Sequence, residues 1–435
     1  MKENKMILGK DVSYSLDSYE TKLNNNVLVV GASGAGKTRS IVTPNLLMAT
    51  GSYIISDPKG NLYDKYGKYM ESKGYIVKKL DFTDPESSAH YNFFKYIREP
   101  RDIVKVAHML IYQRKNGRSY DPFWDEAAQL LLQAMIAYLK EGAKESECTL
   151  HNILTLISMI NIDENDVCSE TPFDLMMKHH RNRNEDSYAC RYYDMFRSAA
   201  SRTLRSIIIS TNARLGLFDM PETNEMMAYD DIDISSIGLK KTALFVVVSD
   251  TDRSMDGLVN IFFTQAMNEL CRVADKECID NRLPVPVRFI MDDFATNCRI
   301  DEFPRMIASI RSRGISTMLM IQSEAQLKEG YEEDDKTIIA NCDTYVYLGG
   351  NDLDTAKKVA ERCDIPAKKV LNMPVGTGWL FRRGQQPLNI SLFDIDTFLK
   401  EMKITNEKKV PTPPDDKKEK VSISYKGGRM ACQYL

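Results

Sequence analysis

The amino-acid sequence predicts an α/β protein in which a mostly parallel sheet carries a phosphate-binding loop and receives an inserted all-α segment. Strand and helix patterns alternate before about residue 100 and again after about residue 238, which predicts the sheet. The stretch between these regions has helical periodicity without strand patterns, which predicts the insertion. A glycine-rich sequence directly after the first apolar strand predicts the loop.

The first region has the pattern of a βαβαβ unit. Strand-like runs at Val27–Val30, Tyr53–Asp57 and Tyr75–Phe82 alternate with helical patterns at Thr38–Met48 and Asn61–Ser72. Strands joined through helices are parallel, and such crossovers are right-handed.

The sequence VLVVGASGAGKTRS, from Val27 to Ser40, contains the spacing G-x-x-x-x-G-K-[ST]. In such a loop backbone N–H groups surround phosphate oxygens, the lysine reaches the β- and γ-phosphates, and the hydroxyl of the last residue ligates Mg²⁺. We therefore predict ATP and Mg²⁺ as cofactors. The predicted nucleotide-binding residues are Gly31, Ala32, Ser33, Gly34, Ala35, Gly36, Lys37, Thr38 and Arg39. A chance match in a surface loop is disfavoured because the strand and helix flank the loop in the required order.

Helical patterns then dominate the chain until strand patterns return. The helical patterns are Phe123–Tyr138, Leu150–Ile160, Phe173–His179, Tyr188–Ala200 and Leu204–Leu215. The later strand patterns are Ala243–Ser249, Val285–Met291, Ile315–Ile321 and Thr344–Leu348. We therefore assign residues 1–100 and 239–400 to the two parts of a nucleotide-binding domain and 101–238 to an all-α insertion. Residues 401–435 are predicted to form a disordered charged tail, in which VSISY could add an edge strand.

Two adjacent acids follow the buried strand pattern VRFIM. A carboxylate at the end of a strand beside a phosphate loop is suited to hold the magnesium site, and we assign this role to Asp292. The next acid, Asp293, is the candidate base that orients and deprotonates the attacking water. The alternative is that both acids simply cap an exposed strand end.

The segment after these acids contains one glutamine and two arginines that are candidate site residues. Gln322 follows the strand Ile315–Ile321 and is predicted to contact the γ-phosphate or the water. Arg311 and Arg313 lie at the end of a predicted helix that Gly314 terminates. They are either arginine fingers for a neighbouring subunit or cations that favour the helix dipole.

Composition limits the class of protein. The 435 residues carry a formal net charge of -3, so any contact with a polyanion must be local. Nine cysteines without a C-x-x-C pair favour reduced thiols over disulfides or a zinc site. The N-terminal sequence has no apolar signal region, and the longest apolar stretch is too short for a bilayer, so we expect a soluble chain.

One local stretch, residues 178–214, is strongly basic. It holds eight lysine or arginine side chains against three acids, with four aromatic residues interleaved: Tyr188, Tyr192, Tyr193 and Phe196. Cations and stacking faces in this arrangement suit single-stranded DNA. A solvated helical face with an aromatic core stripe would explain the same pattern.

Several segments resemble the type IV coupling proteins, the TraG-like ATPases of conjugation and type IV secretion. They are the phosphate loop with Pro44, FWDEAAQLLLQAMIAYL, SDPKGNLYD, MDDFATNCRIDEFPRMIASIRSRGISTMLMIQSEAQL and NCDTYVYLGG. The resemblance covers residues 26–390. It implies a RecA-like P-loop NTPase with an inserted all-α domain, which forms a hexameric ring at the cytoplasmic face of the membrane. Such a ring receives a relaxase-bound single DNA strand, or protein cargo, and uses ATP to feed it to the secretion channel.

The sequence departs from the family pattern at three places. Family members usually have glutamate at the position of Asp293 and an acid at the position of Asn61. They also usually begin with transmembrane helices, so the resemblance implies a missing N-terminal anchor or a membrane-anchoring partner. The shorter carboxylate of Asp293 leaves a second hypothesis open, a docking platform that binds ATP with little turnover. Another hexameric DNA-translocating ATPase, for chromosome partitioning or virion packaging, is a further alternative.

Overall fold

The computed structural model describes residues 4–111, 122–162, 170–294, 296 and 298–401. An antiparallel hairpin opens the chain, with strands β1 (Lys5–Gly9) and β2 (Val12–Ser15). The remaining described strands are β3 (Val27–Val30), β4 (Ser52–Pro58), β5 (Ile76–Asp81), β6 (Thr242–Val248), β7 (Val287–Met291), β8 (Ile315–Ile321), β9 (Thr344–Tyr347), β10 (Thr377–Arg382) and β11 (Leu388–Ser391).

These later strands form one sheet. Within the described residues its order is β11-β10-β9-β3-β8-β7-β4-β6-β5. The pairs from β9 through to β5 are parallel, whereas β9, β10 and β11 pair antiparallel at one edge. The predicted α/β class with a mostly parallel sheet is confirmed.

Helices connect the strands. They are α1 (Ser18–Thr21), α2 (Thr43–Leu47), α3 (Asn61–Ser72), α4 (Pro100–Ile111), α5 (Pro122–Gly142), α6 (Leu150–Ser158), α7 (Pro172–Arg183), α8 (Tyr188–Arg197), α9 (Ser201–Leu215), α10 (Pro221–Met226), α11 (Asp256–Glu277), α12 (Phe303–Ile307), α13 (Glu324–Tyr331), α14 (Asp335–Ala340), α15 (Leu353–Cys363), α16 (Ala367–Leu371) and α17 (Ile395–Glu401).

Both faces of the sheet are covered by apolar side chains. Along β3, Val27 and Val29 join the core formed with α2, α3 and the β1–β2 hairpin. Leu28 and Val30 face the other way and join the core that includes α11 and the helices of the insertion. This alternation follows from the two-residue period of a strand, and all four side chains are fully buried.

Helices α4 to α10 lie between β5 and β6 in the chain, where the sequence predicts the insertion. Their apolar side chains belong to the same continuous core as one face of the sheet. The division into separate domains at residues 100 and 238 stays a prediction. All of the predicted tail except Glu401, including the strand pattern VSISY, lies outside the described residues.

Candidate functional site

The parallel strands bring the predicted chemistry to one edge of the sheet. Because β3, β8, β7, β4 and β6 are parallel neighbours, the residues that follow each strand meet at their carboxyl ends. They line a cleft of about 540 Å³, which we call the carboxyl-edge cleft. Its lining includes ten of the predicted site residues: Ser33, Gly34, Ala35, Gly36, Lys37, Thr38, Arg39, Asp292, Asp293 and Gln322.

The loop after β3 owes its shape to glycine. Gly34 and Gly36 have φ angles of 78° and 90°, a region that side chains with a Cβ rarely adopt. At Gly31 the limit is space, because an added Cβ would lie 3.0 Å from the Cβ of Leu348. The chain then forms a wide helical turn, Lys37–Val42, before α2 begins. The predicted continuous helix over Thr38–Met48 is therefore two differently wound segments.

Lys37 folds back on its own loop. Its Nζ donates hydrogen bonds to the carbonyl oxygens of Gly31 at 2.6 Å and Ala32 at 3.3 Å. Gly31 and Ala32 thus shape the site through their carbonyl groups. The side chain is buried, and burial lowers the pKa of its ammonium group, while Asp293 and Asp292 act in the opposite direction. A buried cation held by two carbonyls can exchange these acceptors for phosphate oxygens.

Thr38 and Asp292 come together from the segments that follow β3 and β7. The Thr38 Oγ1 donates to Asp292 Oδ2 at 2.5 Å, although the residues are 254 positions apart. Burial raises the pKa of Asp292, and the hydrogen bond from Thr38 lowers it. A hydroxyl and a carboxylate oxygen side by side are the ligand types that Mg²⁺ prefers, so the donors present fit the predicted metal.

Asp293 occupies the turn after β7 with an unusual backbone. Its φ angle is 51°, and its N–H donates to Asp292 Oδ1 at 3.2 Å. Left-handed backbone at a residue other than glycine costs free energy and often marks a functional site. This conformation sets the half-buried Asp293 carboxylate in the cleft beside Asp292.

Sequence reasoning missed Asp57 and the pair formed by Lys59 and Asp250. Asp57, at the end of β4, is 1% exposed and accepts backbone N–H bonds from Leu62 and Tyr63. Burial raises its pKa to about 6. Lys59 and Asp250, which follow the neighbouring strands β4 and β6, line the cleft and form an ion pair of 2.9 Å. A signal was present, since the run SDPKG places an acid and a cation at the end of a buried strand.

Arg39 and Gln322 lie at the margin of the cleft. The Arg39 guanidinium pairs with Asp396 of α17 and is 63% exposed. Gln322 is exposed, and its backbone N–H donates to Gln326 Oε1 at 2.9 Å. Both side chains line the cleft, so their assignment to the nucleotide site stays a prediction that the geometry permits.

Arg311 and Arg313 lie away from the cleft of their own chain, near the amino ends of the strands. Arg311 Nη2 donates to the Ser18 carbonyl at 2.8 Å. Arg313 donates twice to the Asp275 carboxylate, at 2.8 Å for each bond. The helix before them is shorter than predicted, because α12 ends at Ile307. Both arginines are half-buried and bonded within the chain, and a role at a neighbouring subunit's site stays a prediction.

The basic stretch 178–214 is largely paired. Described ion pairs join Lys178 to Glu170, Arg181 to Asp194, Arg191 to Asp186, Arg197 to Asp174 and Arg214 to Asp125. Tyr193 and Phe196 are buried in the core, whereas Tyr188 is 42% exposed and Tyr192 is half-buried. The aromatic pattern therefore combines a core stripe with two residues that can offer stacking faces.

Comparison with known proteins identifies the family. The family model described as "Type IV secretory system Conjugative DNA transfer" matches residues 2–364. The chain belongs to this family. The resemblance to the type IV coupling proteins inferred from the motifs is thereby confirmed.

Named relatives of this family member come from several bacteria. It is 21% identical to the type IV secretion system-coupling protein VirD4 of Bartonella henselae, over 89% of the chain and 60% of the relative. It is 22% identical to the conjugal transfer protein TraG of Escherichia coli, over 77% of the chain and 54% of the relative. The chain thus spans between half and two thirds of the length of these two relatives.

Solved structures of the coupling protein TrwB share the fold. The unbound form without 70 N-terminal residues superposes with a TM-score of 0.67 at 17% identity, covering 90% of this chain and 88% of that chain. TrwB in complex with the ATP analogue ADPNP superposes with a TM-score of 0.63 at 16% identity, covering 89% of each chain. Among the described residues of this chain, no helix combines the length and apolar character that a membrane crossing requires.

Proposed function

We propose that this chain is an ATP-driven coupling protein, which recruits relaxase-bound single-stranded DNA or protein cargo and feeds it to a type IV secretion channel. The observation that carries the proposal is the contact of Thr38 with Asp292, at 2.5 Å. It joins the phosphate loop to the acidic strand end, as ATP hydrolysis requires. Family membership and the name of the TraG relative support conjugative DNA as cargo.

We assign a separate role in ATP hydrolysis to each group of residues in the carboxyl-edge cleft. The loop N–H groups and Lys37 would bind the triphosphate, and Thr38 and Asp292 would hold Mg²⁺, which neutralises phosphate charge when bound. Asp293 would orient and deprotonate the attacking water, and Gln322 would contact the γ-phosphate or that water. The structures of TrwB in complex with ADPNP and with ADP and Mg²⁺ support these cofactors.

The proposed function also includes the assembly of several copies of this chain. We infer a homo-hexamer in which Arg311 or Arg313 reaches the cleft of a neighbouring subunit. The ring would lie at the cytoplasmic face of the membrane, held by a partner or by an anchor outside this sequence. Exposed Tyr188 and the basic stretch around it offer stacking and phosphate contacts to a single strand.

A second candidate function is a docking platform that binds ATP with little turnover. Asp293 favours it, because its carboxylate is one methylene shorter than the glutamate usual in the family. Its reach toward a water is therefore reduced. The platform would still bind ATP and cargo, so only turnover separates it from the motor.

Steady-state ATP hydrolysis with and without single-stranded DNA tests the proposal. The motor predicts turnover that DNA stimulates severalfold and that Lys37→Ala abolishes. Nucleotide-dependent DNA binding with no turnover above the Lys37→Ala background would contradict the motor and favour the platform.

A further inference from the structure

A second cavity lies at the amino ends of β4, β7 and β8, at the opposite edge of the sheet from the carboxyl-edge cleft. We call it the amino-edge pocket; its volume is about 250 Å³. Arg288, on β7, lies four residues before Asp292, so the two sites are about 13 Å apart along the strand. The lining contains three arginines: Arg282, Arg288 and Arg311.

Arg288 is a buried cation without an acidic partner. It is 7% exposed, and its Nε donates to Ser316 Oγ at 3.3 Å. No ion pair with a described carboxylate accompanies it, and burial lowers the pKa of its guanidinium. Arg288 lines the pocket, and a buried charge without a described acidic partner is costly, so its guanidinium favours an anion there.

The two other arginines bring further positive charge to the same space. Arg311 Nη2 donates to the Ser18 carbonyl, and the Arg282 guanidinium lies over the Tyr19 ring, 5.1 Å from its centre. Among the lining residues, Asp17 is the single carboxylate. The N–H groups of Tyr19 and Glu20, which it accepts, lower its pKa, and the charge of Arg282 acts in the same direction. Arg282 Nη1 also donates to the carbonyl oxygens of Arg311 and Ser312, at 3.4 Å each. Each guanidinium has five N–H donors, which is more than these bonds use.

Asn25 adds an acceptor to these donors. Its Nδ2 donates to the Leu16 carbonyl at 2.7 Å, which fixes the amide orientation. Its buried Oδ1 has no hydrogen-bond donor among the described residues, and Asn25 lines the pocket. A ligand that satisfies this pocket therefore carries anionic oxygens for the arginines and one hydroxyl for Asn25. Phosphate in its protonated forms has both groups, whereas a carboxylate or a sulfate ion near pH 7 has no such hydroxyl.

We propose that the amino-edge pocket binds a phosphate group, supplied by inorganic phosphate or by a small phosphate ester. The volume, that of roughly eight water molecules, admits either one. The pocket is separate from the nucleotide cleft, and its occupant ties the segment Leu16–Tyr19 to the starts of β7 and β8.

Titration calorimetry in a Lys37→Ala background tests this site, because that substitution weakens phosphate binding at the loop. The full chain should retain one saturable site for inorganic phosphate at pH 7, with weaker binding of sulfate. Adding Arg288→Met should weaken phosphate binding at least tenfold, since it removes the buried guanidinium. Adding Arg305→Met, a control at an exposed arginine of α12, should leave the affinity unchanged. Glycerol 3-phosphate in place of phosphate separates the sources, because tighter binding identifies an ester and weaker binding identifies the free ion.

Circular dichroism first establishes that each variant is folded. If Arg288→Met does not fold, Arg282→Met takes its place, and we expect at least a threefold loss of affinity. Unchanged phosphate affinity in the folded pocket variant would overturn the proposal. So would the absence of any saturable phosphate site in the Lys37→Ala protein. Neither result bears on ATP hydrolysis, so failure here is distinguishable from failure of the proposed function.

Discussion

Replacing Asp57 with asparagine should stabilise the protein above about pH 6 and remove a pH-dependent step from its free energy of unfolding. Asp57 is fully buried at the end of β4, and burial raises its pKa from 3.8 to about 6. Its carboxylate accepts backbone N–H bonds from Leu62 and Tyr63. Asparagine keeps an oxygen that can accept these bonds and removes the charge that burial disfavours.

The size of the effect follows from the shift in pKa. Between pH 3.8 and about 6 the folded chain holds a proton that the unfolded chain has lost. The folded state is therefore favoured at low pH, and its advantage declines as the pH rises through this window. A shift of about two units corresponds to about 3 kcal/mol, which is the upper limit expected for the gain in Asp57→Asn above pH 6.

Urea unfolding of both proteins at intervals from pH 4 to pH 8 measures the difference. The stability gap should be near zero at the acid end, grow through pH 5 and become constant above about pH 6. Glu71→Gln, at an exposed acid of α3, serves as the control and should show no such step. An Asp57→Asn protein that is less stable than the parent at pH 8, or that keeps the parent's pH slope, would show that burial of the Asp57 charge does not destabilise the fold.

The remaining predictions concern hydrolysis. Lys37→Ala should abolish ATP turnover, because no other residue of the loop can replace the charge of Lys37 at the γ-phosphate. Turnover near that of the parent would show that the site is wrongly assigned. Asp293→Glu should preserve or raise turnover by restoring the longer carboxylate. An Asp293→Glu variant that binds ATP but no longer hydrolyses it would show that Asp293 is not the base. If Arg311 or Arg313 acts in trans, its alanine variant should bind ATP, hydrolyse it poorly and regain part of the activity when mixed with Lys37→Ala. If mixed assemblies form but ATPase activity does not rise at any mixing ratio, the arginine does not act at a neighbouring subunit's site and has only a structural role within its own chain.

The sequence predicted those parts of the fold that depend on local patterns. The buried strands β3 and β8 are continuous apolar runs, and the glycine and lysine spacing identified the loop between β3 and α2. The edge strand β11 was not predicted, because three of its four side chains are exposed and its pattern is weak.

The sequence allowed site residues to be predicted where a buried apolar strand is followed directly by polar or charged residues. Asp292 followed from an apolar strand that ends in acids. The run SDPKG marked Asp57 at the end of a buried strand, but its place beside Asp292 follows only from the strand order, in which β4 pairs with β7. The bond from Arg311 to the Ser18 carbonyl joins residues 293 positions apart, which no periodicity could indicate.

A crystal structure of the full chain with ADPNP and Mg²⁺ tests the assignment of the carboxyl-edge cleft as the nucleotide site. We expect the triphosphate against the loop Gly31–Thr38, with Lys37 Nζ moved from the Gly31 carbonyl to a phosphate oxygen. We also expect Thr38 and Asp292 to hold the metal ion. Nucleotide bound elsewhere, or bound in the cleft while Lys37 keeps its bond to the Gly31 carbonyl, would contradict this assignment of the site.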